Sequence, residues 1–267
     1  MQSNLDNKTC LIIYIGNGYT EREWSAINMY EYSVDMRDNR ENHEKTIFEP
    51  LRKMGYSVDF SLITNKHKHY DDFIKEYGAI KINYEDISKE EQRKLYDFYA
   101  FKVPQEYGPG YIISGGRFLK LKSKIPEYDL YVIVRTDCLF KKSIDELDIN
   151  YEKMNYLWPE TDDNFYNHNR EEYLKKFGDE HCFWKEYNRV NGNILNFVPK
   201  KYINVFLTYF WYEHMSVHLM IKDLYPLIKY PDDIHLICGE EKAYSSNTRV
   251  CENPIFVTSK KIYTLED

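Results

Sequence analysis

The chain has 267 residues, 43% hydrophobic and 30% charged, with a formal net charge of -7 and a sequence pI near 5.7. That length and apolar content suffice for one α/β domain with a sizeable core, and the acidic balance argues against nucleic acid as the main partner, because phosphate-backbone binding needs a basic face. The five cysteines are odd in number and show no C-x-x-C spacing, and no stretch approaches the ~20 apolar residues of a membrane helix, so a cytoplasmic, reducing setting without a transmembrane segment is expected, any membrane contact being peripheral.

In chain order, the apolar run Leu11 to Ile15 reads as a buried strand entering the turn Gly16-Asn17-Gly18. From about Arg37 to Met54, Ile47, Phe48, Leu51 and Met54 share a helical face, and Gly55 supplies a stop. Val58, Phe60 and Leu62 alternate through Tyr56 to Thr64, giving a second strand and with it a βαβ unit. A helix over His69 to Tyr77, a strand over Ala79 to Asn83 and a capping box at Ser88 and Glu91 follow. Val103 to Gly116 is a turn-rich loop, and a helix over Gly116 to Lys124 leads to a strand over Asp129 to Arg135. Further strands are read at Asn155 to Trp158, Asn193 to Val198 and Pro254 to Thr258, with Pro199 opening a helix that runs to about His218. This is a mixed, mostly parallel α/β sheet flanked by helices in a single composite domain.

The segment Asp129-Leu-Tyr-Val-Ile-Val-Arg135-Thr136-Asp137 carries the most chemistry. Leu130 to Val134 is too apolar for a surface strand and belongs in mid-sheet. Ligands of open α/β sheets bind beyond the carboxyl ends of the strands, where Arg135 and Asp137 stand. An acid there can hold a divalent cation, and an arginine can meet a phosphate or fix the acid. The alternative is an Arg–Asp pair that only caps the strand.

Four stretches, in order, resemble a family of bacterial and large-virus polysaccharide glycosyltransferases with a GT-A-like, Rossmann-like fold: Asp35 to Thr64, Tyr128 to Ile144 (YDLYVIVRTDCLFKKSI), Asn191 to Phe206 and Asn253 to Val257. The resemblance implies a donor half over residues 1–137 and an acceptor half over 138–267. It implies transfer of a sugar from a nucleotide-sugar donor to a glycan or other hydroxyl acceptor, assisted by Mn²⁺ or Mg²⁺; with a viral source the compartment is the host cytoplasm. Asp137 matches the last acid of an Asp-x-Asp-like motif, whose first position is Arg135 here, and Asn193 stands where relatives often carry Asp. Nothing in the sequence specifies the oligomeric state.

Other residues complete the expected site. Gly16 and Asn17 can bring backbone N–H groups to the nucleotide, although the full G-x-G-x-x-G is absent and a plain turn fits as well. Arg22, Arg37 and Arg117 can meet phosphate, the last within Ser114-Gly115-Gly116-Arg117. In WPETDDNF, Trp158 can stack on a sugar ring, Glu160 can face the acceptor and Asp163 can serve as the base for its hydroxyl. His214 and His218 are four apart on one helical face, without the Glu order of a zincin; His218 is the candidate metal ligand beside Asp137. Two other readings stand beside the transferase. One is a sugar nucleotidyltransferase, of whose Gly-rich loop GNGYTER is a poor version. The other is a non-catalytic carbohydrate- or partner-binding module on a transferase fold.

Overall fold

The computed structural model of the chain describes residues 8–16, 18–25, 30–64, 68–77, 90, 121, 124–157, 195–207, 232–237, 255–258 and 261–263. Its centre is a six-stranded sheet of β1 (Lys8–Ile15), β4 (Tyr56–Ile63), β5 (Leu130–Arg135), β7 (Met154–Tyr156), β8 (Leu195–Pro199) and β9 (Ile234–Leu236), in the order β4-β1-β5-β8-β7-β9. β1 is parallel to both β4 and β5, β8 is antiparallel to its neighbours β5 and β7, and β7 is parallel to β9. Five strands therefore point one way. The mixed, mostly parallel α/β sheet read from the sequence is the architecture observed, and strands from both sides of residue 137 share it.

Both faces of the sheet are covered, which explains why Cys10–Ile15 of β1 and Leu130–Val134 of β5 are apolar runs rather than alternating. Cys10, Ile12, Tyr14, Phe60, Leu62, Val132, Val134, Leu195 and Phe197 pack on one face against Met36, Ile47, Phe48, Leu51 and Phe73. Leu11, Ile13, Ile15, Ile63, Tyr131, Ile133 and Val198 pack on the other against Ile203, Phe206 and Leu207.

The helical run between β1 and β4 is the one expected, with an unexpected course. A 3-10 turn (Met36–Asn39), α1 (Arg40–His43), a π turn (Glu44–Phe48) and α2 (Glu49–Lys53) follow without a break. Pro50 accounts for the wide turn: it lacks an N–H for the Thr46 carbonyl and crowds it. The Ser143 hydroxyl donates to that carbonyl instead, at a long 3.4 Å. The run stops at Gly55, whose φ of 91° favours glycine. α3 (Tyr70–Tyr77) matches the helix read after β4.

Two features differ from the sequence reading. The hairpin β2 (Tyr19–Ser25) and β3 (Tyr30–Asp35) intervenes between β1 and the helix, and with β11 (Lys261–Tyr263) it forms a separate antiparallel sheet. The chain after Arg135 forms β6 (Cys138–Phe140), antiparallel to β10 (Phe256–Thr258). Pro199 both ends β8 and caps the helical run read after it, which begins as a 3-10 turn (Lys200–Tyr202) and continues through helical residues 203–207. The elements read at Ala79 to Asn83 and Val103 to Gly116, most of Gly116 to Lys124, the stretch from Ser88 to Tyr99 apart from Glu90, and the helix beyond 207 lie outside the described residues. Among the described residues, no helix is long and apolar enough to cross a membrane.

Asn155, fully buried on β7, ties this part of the sheet together. Its amide accepts from the Asn150 N–H at 2.8 Å and donates to the carbonyls of Asn150 (2.8 Å), Lys153 (2.7 Å) and Phe197 (3.3 Å). Replacing Asn155 by Leu leaves buried backbone groups unpaired, at a cost of about 3 kcal/mol. Chemical denaturation is expected to show a lower midpoint at unchanged slope.

Candidate active site

The carboxyl ends of β1, β4 and β5 lie side by side, because their registers end together at Ile15, Ile63 and Arg135. Three short connections build the site there. Gly16 leaves β1 at φ 123°, and a Cβ on it would stand 2.8 Å from Thr136 Oγ1. Only glycine combines that dihedral with so close an approach to the β5 end. The Thr136 N–H donates to the Ile15 carbonyl at 3.0 Å, so the parallel pairing continues one step past the strand. The Gly18 N–H donates to Thr64 Oγ1 at 2.7 Å, and the Met36 N–H to the Gly18 carbonyl at 2.9 Å, which joins the turn to the β4 end and to the helix start.

Arg135 and Asp137 meet at this edge. The Asp137 carboxylate accepts from Arg135 Nε on one oxygen and from Nη2 on the other, the latter at 2.9 Å. This two-point fork is the strongest geometry available to an Arg–carboxylate pair. Asp137 is 5% exposed, while the Arg135 side chain keeps 30% of its surface. The pair thus presents a carboxylate held from within and a guanidinium that reaches solvent. Of the two roles expected for Arg135, fixing the acid is the one observed.

Arg37 is also held. Its guanidinium pairs with both oxygens of Asp35 (Nε at 2.9 and 3.1 Å, Nη2 at 2.5 Å) and lies 5.5 Å from the Phe73 ring centre. Partial burial alone would raise the Asp35 carboxyl, but the hydrogen bonds and charge of Arg37 outweigh it and hold the group below its ordinary range. Arg22 lies in β2, with its side chain outside the described residues. Asn17, Arg117, Trp158, Glu160, Asp163, Asn193, His214 and His218 are outside them altogether. The structure therefore brings Gly16, Arg135 and Asp137 together and leaves the acceptor-side residues as expectations.

The same test bears on a metal. Both Asp137 oxygens lie in the guanidinium fork, and no group of three His, Cys, Asp or Glu among the described residues could hold a cation. These residues alone do not fit a divalent ion.

Two residues that the sequence reading passed over adjoin the site. Thr136, 1% exposed, packs against the Gly16 turn. His43, 3% exposed, points Nε2 at the Cys138 carbonyl, 2.6 Å away, and stacks on Tyr14 with ring centres 5.2 Å apart. Its signal in the sequence is a polar residue in register with the apolar face Met36 and Ile47. Burial pushes the imidazole from 6.5 down to about 4, against the upward pull of that carbonyl.

No protein-family model and no curated protein matches the chain. Among solved structures, an active-site mutant of LgtC is similar at a TM-score of 0.45 and 13% identity, covering 88% of this chain and 73% of that one. The galactosyltransferase LgtC in complex with donor and acceptor sugar analogues is similar at 0.39 and 13%, covering 84% and 68%. Neither likeness is close enough to carry a residue role from those structures to this chain.

Two outcomes follow from the geometry. Gly16→Ala is expected to cost about 2 kcal/mol through the disfavoured dihedral, with a further loss where the methyl meets Thr136; thermal denaturation measures it. The buried His43 fixes a sign for acid stability. The unfolded imidazole binds a proton below 6.5 and the native one only below about 4, so stability falls as pH drops through that window. The loss reaches about 3 kcal/mol. Carboxylates held low, such as Asp35 and Glu41, begin to lose their contribution only near their ordinary values, so denaturation at pH 7 and pH 5.5 reads the histidine ahead of them. His43→Gln should flatten the difference.

Proposed function

We propose that the chain is a glycosyltransferase that moves a sugar from a nucleotide-sugar donor to a glycan or other hydroxyl acceptor. The observation that carries the reading is the Arg135–Asp137 fork, its carboxylate buried, at the carboxyl end of the central strand beside the Gly16 turn. The sequence resemblance of Tyr128 to Ile144 to a transferase donor motif supports it. In this reading the acceptor oxygen bonds to the anomeric carbon as the bond from that carbon to the diphosphate breaks. The acceptor proton passes to a carboxylate, for which Asp163 is the candidate. Negative charge grows on the departing diphosphate, and the solvent-reaching guanidinium of Arg135 meets it while Asp137 fixes the guanidinium plane. This reading assigns Gly16, Asn17, Arg22 and Arg117 to the donor and Trp158, Glu160 and Asn193 to the acceptor. A divalent cation, when bound, would neutralise the same charge. Asp137 and His218 are the ligands this reading offers it, and the described donor set does not complete such a site.

One observation favours a second reading, a carbohydrate- or partner-binding module without catalysis. The fork occupies both oxygens of Asp137, and an Arg–Asp pair of that kind can serve structure alone.

Nucleotide sugars, screened by thermal shift with and without Mn²⁺, separate the two. A ligand at about 100 times its Kd adds about 2.7 kcal/mol, or about 5–10 °C for a chain of this size. Asp137→Ala is expected to abolish transfer and donor hydrolysis while the protein stays folded, since Arg135 can turn to solvent. Full activity in Asp137→Ala would sink the assignment, and a wild-type protein that binds no nucleotide supports the binding-module reading.

A further inference from the structure

The helical run after β3 does more than cover the sheet. Its buried positions Met36, Asn39, His43 and Ile47 are spaced by three and four residues, so two polar side chains stand on an otherwise apolar face. Burying an amide and an imidazole is unfavourable unless each finds a partner, and the partners they find are concentrated. Asn39 Nδ2 donates to the Thr136 carbonyl at 2.8 Å. His43 Nε2 lies 2.6 Å from the Cys138 carbonyl, and since a carbonyl only accepts, that nitrogen carries the proton. Asn42 takes both backbone groups of Phe140: its Nδ2 donates to the carbonyl at 2.8 Å, and its Oδ1 accepts from the N–H at 2.7 Å. Four side-chain hydrogen bonds from one turn of helix thus end on the main chain of residues 136–140.

Asp137 sits between the first two of these contacts. The Thr136 carbonyl belongs to the peptide bond that enters Asp137, and the Cys138 carbonyl lies one peptide bond beyond the one that leaves it. The other edge of the same segment faces β10, with which Cys138 to Phe140 is in antiparallel register, and the Lys141 N–H donates to the Ile255 carbonyl at 2.7 Å. A strand this short has little pairing of its own, and it turns away from β1 directly after Thr136. The helix side chains replace the ladder that β5 gives up there.

We propose that Asn39, Asn42 and His43 are positioning residues that clamp the main chain on both sides of Asp137 and so hold its carboxylate, with Arg135, where the donor diphosphate departs. The inference rests on the reading of Asp137 as a donor-site group. Catalytic groups lose much of their effect when displaced by about 1 Å, and supporting hydrogen bonds are what prevent that displacement.

Three variants test it. His43→Leu removes the donor at similar volume, His43→Gln retains a side-chain N–H, and Asn42→Ala removes both bonds to Phe140. Two readouts are taken at temperatures set a fixed interval below each variant's Tm. The first needs no ligand: amide hydrogen exchange at Thr136 to Phe140. It is expected to rise about tenfold in His43→Leu and Asn42→Ala and to return toward wild type in His43→Gln. Unchanged exchange over those residues overturns the clamp. The second is the affinity for UDP, GDP and CDP, each with Mn²⁺. About a tenfold loss is expected in His43→Leu, with recovery in His43→Gln and no further loss when His43→Leu is added to Asp137→Ala. An equal loss in both Asp137 backgrounds shows that His43 does not act through Asp137 and overturns the proposal. A wild-type protein that binds none of the three nucleotides refutes the donor-site reading on which the proposal rests, while the exchange readout separately decides whether the segment is clamped.

Discussion

Everything in this fold is arranged around the burial of β1 on both faces. Cys10 to Ile15 are all 4% exposed or less, and the strand pairs in parallel with β4 on one side and β5 on the other. Parallel pairing has a geometric consequence: the three strands end at one edge, so their following residues must share a small space. The first consequence is Gly16, because no side chain fits between the β1 end and Thr136. The second is the polar content of that edge. Backbone groups released from the ladder need partners, and the residues that supply them are Thr64, Thr136 and the helix amides. A site for polar chemistry therefore arises where the sheet runs out of strand.

Its electrostatics follow from the same place. Asp137 lies one residue beyond the last β1–β5 contact, at 5% exposure, too buried to remain charged without a partner and too close to Arg135 to lack one. The fork solves that problem within the chain. It also sets how the pair can be used. A guanidinium has five donors and the fork uses two, so pairing with Asp137 does not by itself saturate Arg135. A cation bound to Asp137 has to compete with two hydrogen bonds from Arg135.

The readable parts of the fold were those whose pattern is local. β1 and β5 announce themselves as unbroken apolar runs, β4 by alternation at Val58, Phe60 and Leu62, and the helix by its face and by Gly55. The hairpin β2–β3 was not legible because its sheet is completed by β11, more than two hundred positions later in the chain, and short strands paired at that distance leave no periodicity nearby. β6 was hidden for the same reason: three residues paired with β10. In the site, Gly16, Arg135 and Asp137 could be singled out from residue type and position after a strand. The mutual engagement of Arg135 and Asp137 was one of two readings the sequence left open, and only coordinates choose between them.

Asn39, Asn42 and His43 show why such support escapes a sequence reading. Taken singly, Asn and His on a helix are unremarkable surface residues, and the apolar neighbours Ile47, Phe48 and Leu51 dominate the pattern. Their meaning depends on what lies opposite, and the opposite segment is about a hundred residues away, at 136–140. A buried polar side chain is costly in isolation and stabilising when fully partnered, so the sign of its contribution is undefined until the partner is known. This is also why such residues identify a site so well once the fold is known. An apolar face would have packed this helix more cheaply, and the polar atoms are retained where the main chain beside Asp137 leaves its ladder and needs to be held.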